Sequence, residues 1–237
     1  MRRTISLAGS VLCLLATACA IQGDDSSKKP EVKRKPIVEG QKTVFIETEG
    51  EKRRVILETE VCLREGQLEQ LVTRKNTKEH EAILTVDSDA RLIHAALLAA
   101  GAQKGAPVKF DPKFVPPSGT RIKISLQYDD NGKTVTVDAK DWLRLAKGKK
   151  VPKYEWVFAG SQLVPNRLNP KEPPYYLAND GDVICVSNFE TALLDLNIES
   201  SKDNAELNFE ANTEKIPPKG TKVTVILEPV SEEKKDK

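Results

Sequence analysis

The chain has 237 residues, 37 Lys and Arg against 35 Asp and Glu, and aromatic residues make up only 5% of it. That balance excludes a broad basic, aromatic-interleaved nucleic-acid footprint, and the length suits one domain with a proper hydrophobic core. Four cysteines are too few for a scaffold built on disulfides.

Residues 1–19 read as an export signal. Arg2 and Arg3 form a positive start, the apolar run Ile5 to Leu15 is too short to span a bilayer, and small residues follow. Two processing routes compete. Ordinary cleavage would follow Ala18 or Ala20, whereas lipoprotein processing would attach lipid to the Cys19 thiol. Cys19 is placed for the second, although Ala16 stands where a lipobox usually has leucine. Arg2 and Arg3 are the segment's only charges, so their loss would leave the mature chain formally neutral. The address expected is the cell envelope, either lipid-anchored at a membrane or soluble in the periplasm or medium.

Residues 20–36 carry Lys28, Lys29, Lys33, Arg34 and Lys35, with Pro30 and Pro36 keeping the segment extended, and read as a flexible basic tether. In an anchored protein those cations would lie near anionic headgroups. No internal repeat divides residues 37–229, which are expected to form a single domain. Residues 230–237 are a charged tail expected to be disordered.

Within the domain, period-two alternation dominates. Val55, Leu57, Thr59, Val61 and Leu63 fall on one strand face, and Ile122, Ile124, Leu126 and Tyr128 on another. Between them, Ala90 to Ala100 has the spacing of an amphipathic helix, with Leu92, Ile93, Ala96, Leu97 and Ala100 as its stripe. Asp87 or Ser88 is the expected N-cap, Asp89 favours the positive helix end, and Gly101 is free to close the helix. Asn131-Gly132 supplies the positive φ angles of a tight hairpin turn before Val135 and Val137. Tyr154 to Phe158 and Val223 to Leu227 add strands. Asp180-Gly181 is expected to join Tyr175–Leu177 to Val183–Val186, and Thr191 to Leu194 to form a short helical turn. The predicted class is α+β: a β-rich, mostly antiparallel hairpin sheet with one main covering helix over about residues 89–100.

The sharpest polar string is Lys78-Glu79-His80-Glu81, where an imidazole between carboxylates suits a metal ligand or a general base. No second histidine follows in His-Glu-x-x-His register. His94 lies beside the helix stripe and is expected at the edge of the core. A zinc or copper site would have to be assembled by the fold from His80, Glu81, His94, Cys62 and Cys185. Export would also permit a Cys62 to Cys185 disulfide, if the fold brings the two together. Ser161 lacks the second glycine of a nucleophile elbow, and no phosphate loop is present. Asp129-Asp130-Asn131-Gly132 and Asp180-Gly181-Asp182 lack calcium-loop spacing and read as turns. Tyr154, Trp156 and Phe158, alternating on one side of a strand, are expected in the core.

Five strings in order, Val61-Cys62-Leu63-Arg64-Glu65-Gly66, Thr77-Lys78-Glu79-His80-Glu81, Ile93-His94-Ala95-Ala96-Leu97-Leu98, Trp156-Val157-Phe158-Ala159-Gly160-Ser161 and Ile184-Cys185-Val186-Ser187-Asn188-Phe189, resemble the YdjY-like domain family. The likeness covers nearly the whole mature domain and is strongest to exported members from planctomycete-type bacteria. The family has no established activity. The ferredoxin-like label of some relatives does not transfer, because an iron–sulfur centre needs about four thiolates. The function expected is therefore that of an uncharacterised, lipid-anchored envelope module that binds a protein or cell-wall partner without catalysis or cofactor. A metal-binding or redox accessory protein and a hydrolase with an unrecognised site are the alternatives.

Overall fold

A computed structural model describes residues 31–145, 153–165, 170–200 and 209–230. The expected signal segment, Cys19, residues 20–30 of the expected tether and residues 231–237 lie outside the described residues.

The first half of the chain contributes β1 (Val32–Pro36), β2 (Val44–Glu49), β3 (Lys52–Val61), β4 (Gln70–Arg74) and β5 (Ala82–Val86). Helix α1 (Ala90–Ala99) follows, then β6 (Arg121–Asp130), β7 (Lys133–Asp138) and β8 (Leu143–Leu145). The remaining strands are mostly short: β9 (Trp156–Val157), β10 (Leu163–Val164), β11 (Tyr175–Tyr176), β12 (Ile184–Cys185), β13 (Asp195–Leu196), β14 (Phe209–Ala211) and the longer β15 (Lys222–Pro229).

The main sheet runs β12-β4-β5-β3-β15-β6-β9-β13, with β1, β2 and β7 attached beside it. Its pairings are antiparallel except β4 with β5. The two ends of this path meet through a parallel bridge between Ile184 and Leu194. Leu194 donates its N–H to Val183 O and its carbonyl accepts from Cys185 N. The sheet therefore nearly closes into a barrel, a feature absent from the sequence expectation because the closing residues pair across irregular backbone rather than through long alternating strands.

The predicted alternation has a direct physical outcome. Val55, Leu57, Val61, Ile122, Ile124 and Leu126 are buried in one continuous core with Val223, Val225 and Leu227 of β15. Each such side chain contributes about 1.5–3 kcal/mol on leaving water. Helix α1 lies over β2 and β3 and buries Ala90, Ile93, Ala96 and Leu97. Its N-cap is Asp89, whose carboxylate accepts the Arg91 N–H, rather than the expected Asp87 or Ser88. At the other end Gly101 has φ +95°, Gly101 N–H reaches Leu98 O, and Ala102 N–H reaches Leu97 O. This pair of bonds is the double closure that a left-handed residue after the helix permits. Asn131 and Gly132, with φ +53° and +82°, make the expected two-residue turn between β6 and β7.

Other local expectations are corrected. Tyr175 and Tyr176 pair with Val164 and Leu163, and residues 177–180 coil into a short 3-10 helix, so no hairpin joins Tyr175–Leu177 to Val183–Val186. Thr191 to Leu194 form a turn and bridge, not a helical turn. The tether expectation fails over Val32–Pro36, which pairs with β2 as an exposed edge strand. Arg34 is held there by Glu47 and Glu58, and Glu47 in turn holds Arg54. The cross-strand carboxylates that hold Arg34, invisible in a local reading, support a strand in a segment whose composition looks solvated.

Candidate functional site

Three polar regions stand out against this frame. The first surrounds α1 and contains His94. Its Nδ1 lies 2.7 Å from the Tyr176 hydroxyl, which donates onward to Gly160 O at 2.8 Å. The ring packs edge-on against Phe158 and Tyr176, with centroids 4.8 and 5.6 Å away. Because the phenol spends its hydrogen on Gly160, Nδ1 is the donor and carries the proton of the neutral ring. Burial, followed by the nearby Lys104 ammonium, lowers the His94 pKa and favours that neutral form. Burial likewise pushes the Tyr176 phenol up. Asn179 fixes this end of the helix by accepting from Ala90 N and donating to Asp89.

Ser161 belongs to the same region. It has φ +48°, follows Gly160 at φ +85°, and is buried. Its hydroxyl donates to Thr191 O at 2.6 Å and accepts from Ala178 N at 3.0 Å. Both bonds tie the turn to neighbouring loops and offset the cost, on the order of 1–3 kcal/mol, of a left-handed non-glycine residue. The His94 ring reaches Tyr176, not this hydroxyl.

The second region is built around Asp182, which is almost fully buried. Its Oδ1 accepts from Gln70 Nε2 at 3.1 Å and from Lys78 Nζ at 2.9 Å, and its Oδ2 accepts from Thr191 at 2.5 Å. The Lys78 ammonium also sits 4.6 Å from the Phe189 ring centre. Burial alone would favour neutral Lys78, but the Asp182 partner outweighs it and the pKa is raised. Close by, burial and then Glu69 raise the pKa of Glu81. On β13, burial lifts Asp195 to about 7 against donation from Asn188, Leu196 N and Phe189 N. Gln70 is fully buried and its side-chain oxygen has no partner among the described residues.

The string Thr77–Glu81 thus enters this region, but through Lys78 and Glu81. It is a turn rather than a strand, and His80 is left 76% exposed on its side chain, 3.9 Å from Glu81. Asp182, Gln70, Thr191, Tyr176 and Asp195 were not singled out in the sequence as site residues. The one cue was Asp182 itself, just ahead of the apolar run Val183 to Val186, where turn chemistry was the simpler reading.

Cys62 and Cys185 are free. Cys62 follows β3 and faces β5 through bonds to Ile83 and Ala82, whereas Cys185 pairs with Gln70 on β4. With β4 and β5 between them, their separation along the sheet is on the order of 14 Å at ~4.8 Å per strand, about twice the reach of a disulfide. The disulfide expectation is corrected on that ground. Burial, then Glu79, pushes the Cys62 thiol up to about 11, and complete burial pushes Cys185 well above its ordinary value. Neither is a thiolate at neutral pH. Among the described residues His80, Glu81, His94, Cys62 and Cys185 are not brought together, and no group of three or more His, Cys, Asp or Glu side chains is placed to hold a metal.

The third region is an open depression of about 690 Å³ at the strand ends, where β3 begins, β15 ends and β6 begins, beneath the end of α1. It is lined by Lys52, Arg53, Lys104 and Arg121, with Glu51 and Glu228 also in its wall. Gly119 shapes it: a β-carbon there would stand 2.2 Å from Phe158 O. Lys104 lies against Gly160, so one lysine stem connects the depression to the His94 region.

A model of the YdjY domain matches residues 46–228, which is most of the chain, and the five strings quoted above lie within it. The chain belongs to that family. No curated protein and no solved structure matches it.

Proposed function

We propose, from membership of the YdjY domain family, that this chain is an exported envelope protein acting as a non-enzymatic binding module. Cys19 is the lipid attachment point in this reading, and a protein or cell-wall component is the partner. The supporting observation is the state of the reactive side chains. The Ser161 hydroxyl is buried and engaged both as donor and as acceptor. Cys62 and Cys185 are held as thiols by burial, and the Asp182 carboxylate has three partners. Groups of the types that attack substrates are spent on joining loops to the sheet, so binding rather than bond-making is the activity that accounts for them.

The anchor is supported by the Leu14-Leu15-Ala16-Thr17-Ala18-Cys19 string. Metabolic labelling with a palmitate analogue tests it: label on the wild type and none on Cys19→Ser is expected. Absence of label on the wild type, or undiminished label on the variant, overturns the anchor. Capture from envelope extracts with the wild-type chain tests the module. The same stoichiometric partner in repeated preparations is expected, and consistent failure to retain one contradicts it.

A further inference from the structure

We propose that the depression between the start of β3, the end of β15 and the start of β6 is a binding site for a phosphate-bearing ligand. The inference rests on the binding-module reading and names the chemistry that one face of the module recognises.

Four cationic side chains from three separate stretches of chain converge on this hollow. Lys52 and Arg53 are the first two residues of β3, Lys104 comes from the loop after α1, and Arg121 is the first residue of β6. None of the four has a salt bridge among the described residues, although many other surface cations do: Arg34, Arg54, Lys75, Arg91, Lys140, Arg144 and Lys222 all face carboxylates. Glu51 and Glu228 share the wall and leave the cations in excess by two. Uncompensated positive charge in a concave wall concentrates the local potential and favours an anion there.

Two of the groups are steadied before any ligand arrives. Arg53 donates to Ala99 O at 3.3 Å, which also satisfies a carbonyl at the otherwise negative end of α1. The Lys104 stem lies where a β-carbon on Gly160 would be, within 2.2 Å of its Cγ. Gly119, φ +137°, brings backbone close to Phe158 and leaves the floor without a side chain. Thr120 is fixed by accepting the Gln103 N–H at 2.8 Å.

The mixture of groups selects the ligand class. A lone carboxylate is satisfied by one guanidinium fork. Two forks and two ammonium groups together suit a group with several equivalent oxygens and more than one negative charge, which is a phosphate ester or a phosphodiester headgroup. The hollow's volume falls within the range of small-ligand sites.

Binding is measured by titrating inorganic phosphate and glycerol phosphate into the purified full-length protein, with acetate as the control anion. In parallel, phosphatidylglycerol vesicles are compared with phosphatidylcholine vesicles. Saturable binding of a soluble phosphate, or of phosphatidylglycerol vesicles alone, is expected, and which arm responds gives the ligand's source. Arg121→Ala and Lys104→Ala should each weaken it by about 10-fold or more, the size of a lost charge-assisted hydrogen bond, with the melting temperature unchanged. Binding in neither arm, binding no stronger than acetate, or equal binding by both variants overturns the site. These titrations need no anchor and no protein partner, so their failure leaves the binding-module reading intact. Failure of labelling and capture leaves the phosphate site intact in turn.

Discussion

His94 donates from Nδ1 to the Tyr176 hydroxyl, 2.7 Å away, and Tyr176 passes its own hydrogen to Gly160 O. Helix α1 is thereby latched to β11 and to the turn at Gly160, around an imidazole that burial and the Lys104 ammonium keep neutral. The lowered His94 pKa means that the unfolded chain takes up a proton first as pH falls. This stabilisation is therefore present above the unfolded histidine value of about 6.5 and fades below it. Wild-type stability, followed by urea unfolding, should drop between about pH 7 and 5 by more than that of His94→Gln. Equal slopes for the two proteins would contradict the buried, neutral imidazole. Tyr176→Phe should cost about 1–2 kcal/mol at neutral pH by orphaning both neighbours.

Asp195 has the opposite sign. Its carboxyl is raised to about 7 by burial, so the folded state keeps a proton that the unfolded state releases near 4. Stability from this group falls as pH rises between about 4 and 7 and is level beyond. Asp195→Asn should flatten that part of the profile. A carboxyl signal from Asp195 titrating near 4 in the folded protein, read by NMR, would contradict the assignment.

Lys78 and Asp182 form a pair in which the carboxylate is the buried member, with side-chain exposures of 25% and 4%. Lys78→Ala leaves that charge with Gln70 and Thr191 alone, and Asp182→Ala strands three donors. Each should cost about 3 kcal/mol or more in chemical unfolding. The double variant Lys78→Met, Asp182→Leu should cost less than the sum, because no charge is then left buried. Strict additivity would show that the pair is not coupled.

The legible parts of this fold were those whose cause is local. Asn131-Gly132 demands positive φ wherever it falls, and the spacing of Ile93, Ala96 and Leu97 can bury only one helix face. The β1 strand was hidden because its stability comes from Glu47 and Glu58, 13 and 24 residues from Arg34. The near-closure of the sheet was hidden for a similar reason, since Ile184 meets Leu194 through a bridge with no alternating run on either side.

The polar regions divide in the same way. The string at Lys78 drew notice for its histidine, yet His80 points to solvent and the inward members are Lys78 and Glu81. Their partner Asp182 is 104 residues from Lys78 and 112 from Gln70, beyond any spacing rule. The four cations of the depression lie in three unrelated segments, each ordinary by itself.

The claim that this domain works by binding, with its nucleophiles committed to structure, is tested most directly by native-state reactivity. The folded protein is treated with iodoacetamide and with a fluorophosphonate, and its intact mass is read before and after unfolding. The expected result is no adduct on Ser161 and negligible adducts on Cys62 and Cys185 until the chain is unfolded, when both thiols react. Rapid stoichiometric modification of Ser161 or of either cysteine in the native protein would contradict it.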